Sequence, residues 1–332
     1  MTAVSRENAA PPAASPAPVD LLYLGGIGRS GSTLIERLLG EVGSVCSLGE
    51  VMFLWSRGIE QDELCGCGTR FHECPFWTAV GVEAFGGWDA VDTGRMAQLA
   101  RRVDDVKNIP RLLRPGHGSF AADLAEYVAA YEAVYRAART VTGRRVVVDS
   151  SKSTSLAYCL RTSKGLRLRL LHLVRDSRGV AYSWTRVVSR PEASDVSVFM
   201  PRFSPARVAV LWSGHNVLLE LPRLAGTPTR LVRYEDFVVN PRALLADILD
   251  FADVPVTDES LAAAHADAVD LGVSHQVAGN PMRYQTGHIV VANDQKWRTL
   301  MPTRQRRLVT VVTAPVAAAL GYRPGTGRST RG

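Results

Sequence analysis

The 332-residue sequence predicts an α/β fold, a parallel sheet flanked by helices and carrying a helical insert. Three observations support that reading. The apolar run Leu21-Leu22-Tyr23-Leu24 passes through a glycine loop into the helical pattern Leu34-Ile35-Glu36-Arg37-Leu38-Leu39. Later β-type runs, at Arg144 to Lys152, Leu168 to Val174 and Thr229 to Asp236, each carry polar residues at their ends before helical spacing resumes. Residues 80–140 read as helical, most clearly from Phe120 to Thr140. Strands separated by helices in this way pair in parallel and are covered on both faces.

The first loop, Gly25-Gly26-Ile27-Gly28-Arg29-Ser30-Gly31-Ser32-Thr33, holds four glycines and three hydroxyl side chains. Such a loop builds little core, but its backbone amides can turn around a phosphate at a helix N-terminus. The spacing Gly26-x4-Gly31-Ser32-Thr33 is that of a Walker A loop, which makes the fold P-loop NTPase-like. Ser32 stands where the loop lysine belongs, and the loop's one cation is Arg29, three residues early. A plain structural turn has the same composition, so the later strand ends must decide.

The next strand is Ser44 to Glu50, ending in Gly49-Glu50; it delivers Glu50 to the crevice at the carboxyl ends of a parallel sheet, or leaves it solvated at a loop start. The strand at Val146 ends in Asp149-Ser150-Ser151-Lys152. Only four of the 39 basic residues are lysines, so Lys152 stands out at a strand end, where a cation stabilises a transferring group. Leu168 to Val174 runs into Arg175-Asp176-Ser177-Arg178, with Ser183 two turns into the next helix. Charge and hydroxyl together suit one phosphate. The tyrosines Tyr127, Tyr131 and Tyr135 follow helical spacing and read as core or groove lining.

Cys65, Cys67, His72 and Cys74 fall within ten residues, enough ligands for zinc. C-x-C-x6-C is not a standard zinc spacing, and a structural loop whose thiols are reduced or occasionally oxidised is the other reading; Cys46 and Cys159 read as core. The net charge of +7 implies an anionic ligand or surface, with no basic-aromatic run to signal nucleic acid. Residues 1–19 and 323–332 read as tails around one domain at 20–322. No apolar run reaches membrane-spanning length, Leu308 to Leu320 being broken by Pro315, so the expectation is a soluble cytoplasmic protein. Its oligomeric state is not legible.

Together these segments resemble the sulfotransferases that use 3'-phosphoadenosine 5'-phosphosulfate (PAPS). Arg29-Ser30-Gly31-Ser32-Thr33 matches that family's 5'-phosphosulfate loop, and Arg175 with Ser183 matches its 3'-phosphate motif. Arg233-Tyr234-Glu235-Asp236 resembles a further family segment, taken as structural. The cysteine segment and loop form are closer to the carbohydrate and tyrosyl-protein branches and their bacterial relatives. The resemblance implies PAPS as co-substrate without a metal, Glu50 as base, and Arg29 and Lys152 as catalytic cations. It further implies Gly28, Arg29, Ser30, Gly31, Ser32, Thr33, Arg175 and Ser183 at the cofactor, with Arg283 closing over the nucleotide. The acceptor is a hydroxyl of a carbohydrate, lipid, peptide tyrosine or small metabolite, and its site is shaped by the insert and by residues 186–205. The alternatives are a degenerate P-loop kinase using ATP and Mg²⁺, with Asp149 at its Walker B position, and a non-catalytic nucleotide-binding protein.

Overall fold

The computed structural model describes residues 17–189, 199–292 and 294–322. Most of the expected tails, at 1–16 and 323–332, and part of the 186–205 segment lie outside the described residues. Five strands form the central sheet: β1 (Val19–Gly26), β2 (Val45–Ser47), β3 (Val146–Lys152), β4 (Leu166–Val174) and β5 (Thr229–Arg233). Their order is β2-β3-β1-β4-β5, and every neighbouring pair is parallel. The sheet flanked by helices is the architecture the alternating pattern predicts.

All eight residues of β1 are buried, because helices cover both faces of the sheet. Leu21 and Tyr23 face a core shared with Trp77, Tyr131 and Tyr135 of the insert. Leu22 and Leu24 face the opposite core, against Leu34 and Leu38 of helix α1 (Ser32–Gly40) and against Phe237. The tyrosine stripe is therefore core, and the Tyr135 hydroxyl donates to Asp149 Oδ2 at 2.6 Å.

Between β2 and β3 the insert forms helices at Pro75–Phe85, Thr93–Val103, Ile109–Leu113 and Ser119–Thr142. The expected strand from Ser44 to Glu50 shrinks to three residues, because Gly49 turns the chain at φ 86°. The fifth strand stops at Arg233, and Tyr234 begins a short helix whose first turn carries Glu235 and Asp236, a favourable place for acidic side chains. A small antiparallel pair, β6 (Ala268–Leu271) and β7 (Gly287–Val290), has no counterpart in the sequence reading. The apolar run around Pro315 is the second half of a helix at Thr303–Ala319, and no helix among the described residues is long and apolar enough to cross a membrane.

Strand order runs outward from β1 in both directions, so the loop after β1 opens where neighbouring connections diverge. Parallel pairing puts the ends of β1, β3 and β4 on the same edge. Arg29, Lys152 and Arg175 reach one crevice by that geometry.

Candidate active site

Arg29, Glu50, Lys152, Arg175 and Ser183 line a single cavity of about 320 Å³ with Gly28, Gly31, Ser32 and Thr33. Two of its cations have left-handed backbones, Arg29 at φ 76° and Lys152 at φ 63°. Such a conformation costs a non-glycine residue roughly 1–2 kcal/mol. At Lys152 the cause is visible in the sheet: the β1–β3 register shifts between Tyr23 and Gly25, and Gly25 pairs with Lys152.

The loop needs its glycines at two places. A Cβ on Gly31, at φ 87°, would lie 2.3 Å from the Tyr234 ring, and one on Gly28 would lie 2.9 Å from Trp184. Trp184 locks this approach by donating from Nε1 to the Gly28 carbonyl at 3.0 Å. The N-terminus of α1 receives no side-chain cap, so its first amides and positive dipole end face the cavity beside Ser32 and Thr33. Ser30 behaves differently: its buried hydroxyl donates to the Ile27 carbonyl at 2.5 Å and braces the loop from inside.

Arg175 follows β4 and lies over the Tyr234 ring at 4.6 Å. It donates to the carbonyls of Arg29, at 3.2 Å, and Asp294, at 3.3 Å. Ser183 reaches the same cavity from the helix Ser177–Thr185. Arg29 Nε and Nη2 are buried and find no hydrogen-bond partner among the described residues, while the guanidinium lies 5.4 Å from the Trp184 ring centroid. Burial pushes its pKa below the ordinary arginine value, against the pull of Glu50. Buried donors of a cation are costly when unpaired, so an anion is the expected guest.

Opposite the loop, Lys152 Nζ donates to Glu50 Oε1 at 2.6 Å and to the Ser150 carbonyl at 2.9 Å. The pair is about one-eighth exposed, at 12% for Lys152 and 14% for Glu50. Gly279, at φ 130°, closes on the carboxylate; a Cβ there would lie 3.2 Å from Oε1. Glu36 of α1 supports this corner from below. It accepts from the Gly49 amide at 2.7 Å, from Ser47 at 3.1 Å and from Ser150, tying together the chain segments that carry Glu50 and Lys152. Burial pushes the Glu36 carboxyl up to about 7, although its hydrogen bonds act the other way.

A second cavity, of about 350 Å³, meets the first at Gly28, Glu50, Phe53, Lys152 and Trp184. Its far wall is largely apolar, with Met52, Val106, Phe203, Val208 and Leu211, and it includes His215. The His215 Nδ1 lies 2.7 Å from the Thr154 hydroxyl, and burial lowers its pKa. The insert contributes Val106 to this wall, and the 186–205 segment contributes Phe203 here and Met200 and Pro201 to the first cavity.

One site assignment needs correction. Arg283 does not line either cavity; its fully buried guanidinium donates to the carbonyls of Gly279, at 3.2 Å, and Leu64, at 3.0 Å. It holds the segment whose neighbours Gly279, Asn280 and Met282 form the wall. Tyr234, read as part of a structural segment, in fact lies in the cavity beneath Arg175. Trp184 and Phe53 were missed as well. Trp184 stands one residue after Ser183 in a helix whose other face is core, a placement that spacing alone does not distinguish.

No family model matches the sequence, and no curated protein matches it. Solved structures do align with it. The sulfotransferase domain of the Synechococcus PCC 7002 olefin synthase aligns over 94% of this chain and 98% of its own, at 22% identity and a TM-score of 0.50. The sulfotransferase domain from the curacin biosynthetic pathway aligns over 93% and 99%, at 19% identity and a TM-score of 0.48. Sulfotransferase STF9 from Mycobacterium avium aligns over 93% and 78%, at 10% identity and a TM-score of 0.46. The chain has the sulfotransferase fold.

Proposed function

We propose that this chain, built on the sulfotransferase fold, transfers a sulfuryl group from PAPS to an acceptor hydroxyl by in-line displacement. The observation that carries the proposal is Arg29, a buried cation with unpartnered donors, in a cavity shared with Lys152, Arg175, Ser183 and the uncapped end of α1. Arg175 and Ser183 suit the 3'-phosphate, and Arg29 with the loop amides suits the 5'-phosphosulfate. A kinase reading fits less well. Ser32 replaces the loop lysine, and Asp149, its Walker B candidate, is fully buried and accepts from Tyr135 and Ser151.

In the reaction, the acceptor oxygen forms a bond to sulfur as the bond from sulfur to the 5'-phosphate oxygen breaks. The acceptor proton passes to Glu50, and the electron pair of the broken bond stays on the phosphate of adenosine 3',5'-bisphosphate (PAP). Lys152, held on Glu50 at 2.6 Å in the cavity that also holds Arg29, shares its charge with the leaving oxygen when the donor is bound. That transfer of the ammonium frees the carboxylate to act as base at the moment charge moves onto phosphate. Arg29 neutralises the same group from the loop side.

The junction of the two cavities at Glu50 and Lys152 divides donor from acceptor. The apolar far wall favours an acceptor with an apolar or aromatic body next to its hydroxyl. A cytoplasmic setting, where PAPS is made and thiols stay reduced, belongs to this reading. The test is incubation with sulfur-labelled PAPS and a panel of phenols, aliphatic alcohols and sugars. Label appearing on a phenol or alcohol, with stoichiometric release of PAP, is the expected result; PAPS binding with no transfer to any class would contradict it.

A further inference from the structure

We propose a structural zinc site of three cysteines and one histidine, formed by Cys65, Cys67, Cys74 and His275. The four ligand atoms, three sulfurs and His275 Nδ1, all lie within 4.8 Å of one another. Zinc held at about 2.3 Å by sulfur and about 2.0 Å by nitrogen separates tetrahedral ligand atoms by roughly 3.5–3.8 Å. Cys67 Sγ lies 3.7 Å from Cys74 Sγ, while His275 Nδ1 lies 3.3 Å from Cys74 Sγ and 3.9 Å from Cys65 Sγ. Those separations suit a four-coordinate ion with little adjustment.

The cysteine spacing alone does not look like a zinc motif because its fourth ligand comes from 201 residues beyond Cys74. The histidine inside the motif, His72, points elsewhere and pairs with the Ile59 carbonyl at 2.9 Å. Surrounding contacts are those of a built site. Gly68 donates to the Cys65 carbonyl at 2.9 Å, and Cys65 donates to the Thr69 carbonyl at 2.8 Å, which folds the two-cysteine turn. Cys74 sits immediately before the helix Pro75–Phe85, where the positive end of the dipole favours a thiolate. The Phe76 ring stacks on His275 at 5.3 Å, and Trp77 Nε1 donates to the His275 carbonyl at 2.7 Å. Gly66 lets the two segments touch: a Cβ there would lie 2.7 Å from Ser274 Oγ.

A disulfide accounts for less. Three thiols leave one over, and none of the five cysteines is bridged. A disulfide also gives no reason for His275 to converge on the same point. Zinc fastens the start of the insert to the segment that continues as Gln276-Val277-Ala278-Gly279. Val277 donates to the Leu48 carbonyl at 3.0 Å, and Gly279 then closes on Glu50. The ion thereby secures one wall of the catalytic cavity without touching it.

The test is metal analysis of the full chain purified under reducing conditions. One zinc per chain is expected in the wild type and in His72→Ala, with near-complete loss in Cys74→Ser and His275→Ala. Exchange of the wild-type protein into cobalt(II) supplies a readout that needs no variant: intense tetrahedral d–d bands with sulfur-to-metal charge transfer are expected. A chelator strong enough to strip the metal lowers the wild-type melting temperature by several degrees, since ligand removal destabilises the state that binds it. Zinc at the buffer background, an octahedral cobalt spectrum, or a Cys67–Cys74 disulfide found by peptide mass spectrometry overturns the site.

Discussion

The two cavities that meet at Glu50 and Lys152, donor side and acceptor side in the proposed function, are made in opposite ways. The donor side is built from strand ends and one glycine loop, with charged side chains, left-handed backbone at Arg29 and Lys152, and close approaches at Gly28 and Gly31. The acceptor side is assembled from scattered segments around Phe53, Val106, Phe203, Val208 and Leu211, with ordinary apolar contacts. A phosphate demands fixed amides and cations at one place, so sequence changes there are narrowly constrained by chemistry. An apolar wall demands only shape, which many sequences satisfy.

Changes at the junction have the largest expected effect on that division. Glu50→Gln lowers turnover by about 10²–10⁴-fold, while PAP affinity stays the same or tightens, because Lys152 is released toward the phosphates. Single-turnover kinetics with titration of PAP separates the two quantities. Next comes Arg175→Ala on the donor side. Removing a charged donor from the cavity lowers turnover by about 10²–10³-fold and weakens PAP binding in parallel, measured calorimetrically. Equal loss of acceptor and PAP affinity in that variant would erase the boundary between the two cavities.

Glu36→Gln probes the support beneath the junction through pH. The folded Glu36 carboxyl is pushed up to about 7 from an ordinary 4.5, so the native state keeps a proton that the unfolded chain releases. Stability from this group is full below pH 4.5 and is lost as pH rises to about 7. Asp149, pushed up to about 6 by burial, acts with the same sign. Glu36→Gln removes one share: denaturant unfolding at pH 5 and pH 8 is expected to show the wild type losing about 1–3 kcal/mol relative to the variant over that span. A pH-independent difference would mean that the buried group titrates elsewhere.

The smallest effect belongs to the acceptor wall. Leu211→Ala changes acceptor KM by about 3- to 10-fold, the scale of one modest apolar contact, and leaves PAP affinity unaltered.

The same contrast decides what could be read in the sequence. The shared crevice of Arg29, Lys152 and Arg175, as distinct from their roles, is legible because each follows a β-type run, and parallel pairing brings such ends together whatever the packing. Glu50 was legible for the same reason even though its strand is only three residues long. Arg283 was misplaced because its neighbours Gly279 and Met282 do face the cavity, while its own side chain turns inward to two carbonyls. Tyr234 stands where the chain leaves β5 for a helix, inside the stretch that reads as continuing strand, and its ring lies in the cavity under Arg175. The cysteine segment withheld its fourth partner, His275, since no local spacing links residues so far apart. Long-range pairings of side chains are what periodicity cannot supply.

In the proposed function a nucleotide bisphosphate is held in the loop-side cavity by Arg29 and Arg175. Thermal unfolding with PAP, with ATP plus Mg²⁺ and with AMP tests it most directly, in the wild type and in Arg175→Ala. A ligand at 100 times its Kd adds about 2.7 kcal/mol, a shift easily resolved. The expected result is a rise in Tm with PAP alone, abolished in the variant. A larger rise with ATP plus Mg²⁺, or a PAP shift that survives Arg175→Ala undiminished, would rule out bisphosphate binding at this site.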